Sequence, residues 1–436
     1  GEDQGTRAVD VNNDGLVDLV RSKACQPYKT WLNTGSGWVV NGTWTAPECE
    51  FSQNYVGCVI DENSKDNGIR YADVNNDGLV DIVKAKGGFT RTWINTGNGW
   101  TNFNTWQFTP CSDVNHPGCF LADDGTDNGI AVVDVNGDGW VDFIKARRET
   151  TPYTWINNRH GGWVVNNTWQ FYECDYSFAW RGCFVNATGS DLGARLDDVN
   201  GDGLVDVMVA RPSFKATWIN TGHGWQDYHG SWVVPDCDDQ VNDACFEDPL
   251  NGVRLADING DRLTDIIKAK NGVAKTWLNT GSGWTNFNDW KIFRCDDATQ
   301  ENCFVSDYPA GDHLNGVYFV DFTGDGVPDL MRATTLAEAT AYHNTAEQVG
   351  LLRNVNTSLG AAISINYTTL SHFDNNAQDD IPDIGIPLWV VTSVTESNRM
   401  IGPQNVSVNT TYFYSGGYFD YNESDYRGFA FVSENK

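Results

Sequence analysis

The chain of 436 residues is poor in basic side chains, with 29 Lys and Arg against 58 Asp and Glu and a formal net charge of −29. That scarcity excludes a phosphate-binding surface, which has to be basic, and with it a nucleic-acid partner. No apolar run reaches the length needed to span a bilayer, so no membrane span is expected. The seven histidines, His116, His160, His223, His229, His313, His343 and His372, share no metal-ligand spacing. A nucleophile elbow, an HExxH pair and a phosphate loop are all missing, and no pair of catalytic acids stands out among the many carboxylates. The chain is therefore read as non-catalytic. It also has no signal peptide and starts inside a repeating pattern, as expected of a processed or trimmed form.

Zinc-type CxxC spacing is absent as well, although there are 11 cysteines. Ten of them recur as close pairs at one place in successive repeats: Cys49 with Cys58, Cys111 with Cys119, Cys174 with Cys183, Cys237 with Cys245 and Cys295 with Cys303. Disulfides closing short loops are expected, each worth about 2–3 kcal/mol on the chain-entropy account. They place the protein in an oxidising compartment, secreted or at the cell surface. Cys25 is left over, either as a buried thiol or as an intermolecular link. Asn-x-Ser/Thr sequons at Asn41, Asn166, Asn186, Asn356, Asn366, Asn405, Asn409 and Asn422 are glycosylation candidates.

What the chain has in abundance is one loop. Asp134-Val135-Asn136-Gly137-Asp138-Gly139-Trp140-Val141-Asp142 carries side-chain oxygens at positions 1, 3, 5 and 9, with glycine after position 5. Calcium takes 6–8 hard oxygen ligands in flexible geometry, and this spacing supplies them. The expected ligands of the six copies, with position 7 acting through its backbone carbonyl, start with Asp10, Asn12, Asp14, Leu16 and Asp18, then Asp73, Asn75, Asp77, Leu79 and Asp81. The third copy offers Asp134, Asn136, Asp138, Trp140 and Asp142, and the fourth Asp198, Asn200, Asp202, Leu204 and Asp206. The fifth has Asp257, Asn259, Asp261, Leu263 and Asp265, and the sixth Asp321, Thr323, Asp325, Val327 and Asp329. One Ca2+ per loop, up to six, is expected; the competing reading is an Asx-rich turn without metal. Binding should be weaker in the last two loops. Arg262 replaces a glycine in the fifth, at a cost of about 1–2 kcal/mol if that position is left-handed, and Thr323 replaces the amide in the sixth.

About twenty residues after each of the first five loops come a Thr-Trp element and a glycine turn, as in Thr30 to Trp38, Thr92 to Trp100 and Thr217 to Trp225. A third tryptophan follows at Trp44, Trp106, Trp169, Trp232 and Trp290. Short β-branched runs between these marks read as strands, giving four antiparallel strands per repeat. An all-β propeller of six four-stranded blades is expected over 1–350, with seven blades as the alternative and a solenoid less favoured because its coils are usually shorter. Thrombospondin-like calcium repeats are excluded, since their loops have no four-strand units between them. Trp31, Trp93, Trp155, Trp218 and Trp277 should pack between blades. Trp38 and Trp100, beside the glycine turns, are also placed to stack on sugars. The sixth repeat decays, with Tyr342-His343-Asn344-Thr345 where Trp-Leu-Asn-Thr would stand. Longer alternating stretches over 351–436 indicate a second β-rich segment. His372 to Asp383 reads as a solvated acidic loop or, alternatively, a cation site.

The Asp-x-Asn-x-Asp-Gly-x-x-Asp loops resemble the FG-GAP/VCBS repeats of calcium-binding β-propellers. Leu351-Leu352-Arg353-Asn354, Gly360 to Tyr367, Pro387 to Val391, Tyr412 to Asp420 and Tyr426-Arg427-Gly428-Phe429-Ala430 resemble the segment after the propeller in Rhs/YD-repeat proteins and the B component of insecticidal toxin complexes. Ala430 stands where that family usually has glycine. The resemblance implies a propeller followed by strands that begin a hollow shell around a toxic polypeptide. The expected function is a secreted binding or assembly module with a protein partner or self-assembly. A glycan-binding lectin or adhesin and a structural subunit of an extracellular filament or coat are the alternatives.

Overall fold

The computed structural model describes residues 3–51, 54–113, 117–228, 232–237, 244–287, 289–296, 299–307, 312–335, 338–346, 350–373, 384, 387–398, 406–420 and 425–436. His116, His229, Asn405, Asn422 and most of the acidic segment 372–383 lie outside them. Regular structure among these residues is β, apart from single 3-10 turns such as Thr109–Cys111. No helix of the described residues is long and apolar enough to cross a membrane.

Each repeat folds into its own antiparallel sheet, with strands paired in chain order. In the third, Ile130–Val133, Asp142–Lys145, Tyr153–Asn157 and Trp163–Val165 lie side by side. The second strand is buried on both faces, so it reads as a continuous apolar run without alternation. Asp134 to Val141 is too rich in Asp, Asn and Gly to stay extended and turns the chain between the first two strands. The first, second and fourth sheets repeat this plan. The fifth adds Val305–Ser306 in parallel beside its second strand, which carries His313–Leu314 in turn. The sixth has three strands among the described residues, Val317–Val320, Asp329–Thr335 and Glu338–Tyr342, in keeping with its missing Trp element and glycine turn.

The core lies between sheets. Val83, Ala85 and Ile94 of the second meet Phe143, Trp155 and Trp163 of the third around Phe108 and Phe120. Equivalent clusters join the third sheet to the fourth, the fourth to the fifth and the fifth to the sixth. Trp93, Trp155, Trp218 and Trp277 are buried there, each at most 3% exposed, as expected. Trp31 departs from the pattern: it is only half-buried, with Lys29 and Arg21 stacked 5.2 and 5.8 Å from its ring.

All five expected disulfides are present and brace the links between sheets. Cys49 is bonded to Cys58, Cys111 to Cys119, Cys174 to Cys183, Cys237 to Cys245 and Cys295 to Cys303. All ten half-cystines are buried, so each bridge is part of the packing between sheets and not a surface clasp. Cys58 lies beside Ala24 and Ala46, Cys245 packs with Phe246 and Trp277, and Cys303 packs with Phe304 and Val317. Directly after each of the last four bridges, a residue returns to the preceding sheet, as when Phe184 N donates to Ala146 O at 2.8 Å. Of the two readings of Cys25, the buried thiol is overturned, since the residue is exposed. Cys25 falls in the turn between the second and third strands of the first sheet, at φ +62° with Sγ 3.3 Å from the Tyr55 hydroxyl.

Residues 354–435 form a separate five-stranded meander of Asn354–Asn356, Ala362–Thr369, Trp389–Ser397, Ser407–Asp420 and Asp425–Asn435. Its root touches the repeats where the last meets the first. Trp389 Nε1 donates to Asp325 O at 2.8 Å, and Ser371 lies close to both Gly15 and Gly324.

Candidate functional site

The Asp loops are built by alternating backbone hand. Positions 4 and 6 are left-handed in every copy: φ is +60° and +80° at Asn13 and Gly15, +70° and +82° at Gly137 and Gly139, and +75° and +68° at Gly260 and Arg262. Glycine and asparagine tolerate that conformation, whereas Arg262 adopts it at a cost of about 1–2 kcal/mol. The curl turns successive N–H groups onto the first carboxylate. Asp134 Oδ1 accepts from Gly137 N at 2.8 Å and Asp138 N at 3.2 Å, and Oδ2 accepts from Gly139 N at 2.7 Å. Asp138 accepts from Trp140 N at 2.9 Å and from Asn136 Nδ2 at 3.2 Å.

Position 9 works differently. Asp142 Oδ2 accepts from Val135 N at 3.2 Å within its loop, while Oδ1 accepts from Asn157 N at 2.7 Å at the end of the Thr-Trp strand. Asn157 Nδ2 then donates to Val74 O, 3.0 Å away in the loop of the preceding sheet. The arrangement recurs in every repeat. Asn95 donates to Val11 O, Asn220 to Val135 O, Asn279 to Val199 O and Asn344 to Ile258 O, at 2.7–2.9 Å. Asn33 of the first sheet donates to Phe322 O of the sixth loop at 2.7 Å. Six bonds thus link the six sheets in a circuit. No expectation from the sequence covered these asparagines, although an Asn recurs two residues after the Trp position in each repeat.

Burial dominates the electrostatics of the loops. It pushes the Asp81 carboxyl up to about 9 and Asp142 to about 8, helped by neighbouring loop carboxylates. Asp18, Asp73, Asp206 and Asp265 rise to about 7 and Asp329 to about 6 for the same reason, and Asp10 is also raised well above the usual range. Hydrogen bonds from the backbone oppose the rise without cancelling it.

These loops suit a cation in kind but not in their present arrangement. Their donors are hard oxygens, and Asn12 Oδ1 and Asn75 Oδ1 are buried without a partner. In loops three to five the same amide oxygen accepts the N–H of position 5, at 2.9–3.1 Å. In loop six, Thr323 donates its hydroxyl proton to Asp329 at 3.1 Å. The carboxylates are turned to backbone N–H groups, and among the described residues no three His, Cys, Asp or Glu side chains form a group able to hold a metal ion.

Of the sequon asparagines, Asn356, Asn366 and Asn409 are exposed. Asn41, Asn166 and Asn186 are half-buried and accept the N–H two residues on, at 2.5–2.8 Å. Trp38 is 36% exposed, whereas Trp100 is half-buried and donates Nε1–H to Val80 O at 2.9 Å.

Residues 307–436 match the family model described as the insecticide toxin TcdB middle/N-terminal region. No curated protein matches the chain in sequence. Among solved structures, a mutant Photorhabdus luminescens Tc holotoxin pore aligns with 99% of this chain at 16% identity and TM-score 0.62, over 18% of its own chain. TcdB2-TccC3 aligns with 99% of this chain at 17% identity and TM-score 0.52, and its form without the hypervariable C-terminal region does so at 16% and 0.53. The chain spans 18–19% of the length of those chains. At this identity the likeness is one of fold.

Two outcomes are expected. Asn157→Ala should lower unfolding free energy by about 1–3 kcal/mol in chemical denaturation, the cost of orphaning a buried carbonyl, and Asn33→Ala should do the same because its amide joins the first and sixth repeats. A change within experimental error in both would show that the circuit contributes nothing. The raised carboxyls also set a pH dependence. At these carboxyls the folded chain holds more protons than the unfolded one between the ordinary carboxylate range and the raised values of about 6 to 9, so their contribution to stability declines as pH rises through that window. In the presence of a chelator, Tm should fall from about pH 5 to about pH 7, above which Lys84 and Lys145, lowered by burial to about 7 and 8, oppose the decline; a profile that rises between about pH 5 and about pH 7 would contradict the assignment.

Proposed function

We propose that the six sheets are blades of a closed propeller and that the chain is a non-catalytic assembly module of a secreted, toxin-complex B-like protein. The circuit through Asn33 and Phe322 supports the closed reading, and the match over 307–436 supports the toxin-complex one. The observation that carries the assembly role is the strand Asp425–Asn435. It has 11 residues, is paired only with Ser407–Asp420 among the described residues, and exposes Tyr426, Phe431 and Val432. A long apolar edge of this kind is a template for a further strand. Its natural cover is a continuation of the same sheet or a protein partner of the TccC3 type, and the rigid blades hold that edge in place.

Calcium is proposed as a structural ion of the loops. The buried, unpaired amide oxygens of Asn12 and Asn75 make the loops at Asp10 and Asp73 the strongest sites. Arg262 and Thr323 make the loops at Asp257 and Asp321 the weakest. Each ion held would relieve the repulsion among loop carboxylates.

Calorimetric titration should find calcium bound first by a subset of loops, with Tm rising and the decline of stability with pH flattened. Equal affinity at six sites, or no binding, would refute this ranking. Sedimentation should show the purified chain associating beyond a monomer, and Phe431→Lys with Val432→Lys should return it to a monomer with an unchanged circular-dichroism spectrum. A wild-type chain that stays monomeric at high concentration while binding a glycan array would favour a lectin instead.

A further inference from the structure

The second residue of each first strand is Arg7, Arg70, Ala131, Arg195, Arg254 or Tyr318 in repeats one to six. Two of these arginines share a complete socket. Arg70 pairs with Asp66 at 2.9 Å and lies 5.3 Å from the centre of the Phe120 ring. Arg195 makes two bonds to Asp191, at 3.2 and 2.9 Å, and lies 5.8 Å from the centre of the Phe246 ring. In both, the acid stands four residues before the arginine, the phenylalanine follows the disulfide of the next link, and a glycine N–H fixes the acid's Oδ1 at 2.7 Å.

The third repeat retains the socket but has no arginine. Asp127 is held in the same way, by Gly129 N at 2.7 Å, and Phe184 follows Cys183 as Phe120 follows Cys119. Ala131 occupies the arginine position. There the protein has a cavity of about 870 Å³ lined by Asp127, Ala131 and Phe184 together with Asp191, Arg195 and Glu247. It lies at the end of the first strand remote from the Asp loop. Of the three acids, Asp191 is already paired to Arg195, whereas among the described residues no cation forms an ion pair with Asp127, and Arg70 of the neighbouring socket acts on it only at longer range.

We propose that this cavity is a guanidinium-binding site, taking from a ligand the group that Arg70 and Arg195 supply to the equivalent sockets. A carboxylate that accepts two N–H donors and an aromatic face for the planar cation are the complementary pair for guanidinium, and they select it over a compact ammonium. The group comes either from a small guanidine or from an arginine side chain of a polypeptide. The proposal does not depend on the assembly role.

Titration calorimetry on the whole chain with agmatine, and separately with a blocked tripeptide centred on arginine, tests it. Saturable one-to-one binding is expected for at least one probe, and whichever binds more tightly identifies the source. Asp127→Asn should weaken that binding by about tenfold or more. The neutral citrulline tripeptide should bind more weakly than its arginine counterpart by a similar factor if the peptide is the ligand. Ala131→Arg, which supplies the group from within, should abolish binding and raise Tm; if it fails to fold, Asp127→Asn still decides the question. Absence of saturable binding by both probes at millimolar concentration, or unchanged binding in Asp127→Asn, would overturn the proposal.

Discussion

Everything in the repeat region depends on one buried carboxylate per sheet. The position-9 aspartate accepts from its own loop with one oxygen and from the Asn that ends the third strand with the other. That asparagine reaches the loop of another sheet through its side chain. A single residue therefore fixes the loop, sets where the third strand ends, and orients the group that ties neighbouring sheets together. Hydrophobic clusters between sheets supply most of the burial, but they are not directional. The amide bonds determine which carbonyl each sheet meets, because a buried carbonyl left without its donor is costly.

The same burial creates an electrostatic problem. Carboxylates are drawn into every loop and away from water, and the affinity of the position-9 carboxylate for protons rises in each. Backbone N–H groups compensate in part, which is why a loop with the composition of a cation site is also a self-sufficient turn. Where the amide of position 3 bonds within the loop, little is left unpaired; at Asn12 and Asn75 an acceptor remains. Copies of one motif thus differ in their need for an ion.

Much of this was legible in the chain. Period, strand number, the decay of the sixth repeat and the five cysteine pairings follow from local pattern, since turn residues and β-branched runs act over a few positions. Cys25 and Trp31 were harder to place. Cys25 lies in the turn between the second and third strands of the first sheet, and Trp31 lacks what its counterparts pack against, the cysteine-closed link of the preceding repeat, because the sixth repeat carries no cysteine pair. The linking asparagines were visible as a recurring letter, but their partners lie 80 or more residues away. No local rule connects such positions.

By itself the sequence determined the unit: a glycine-punctuated Asp loop, four short strands and a disulfide-closed link, each specified by backbone preference and covalent chemistry within one repeat. Only the tertiary structure decided which repeat meets which. The bond from Asn33 to Phe322 joins residues far apart in the chain, and its existence depends on the accumulated angles between successive sheets. The empty socket at Ala131 belongs to the same class. An alanine in a strand has no meaning alone; it becomes a site once folding brings Asp127 and Phe184 around the space that its neighbours fill with arginine.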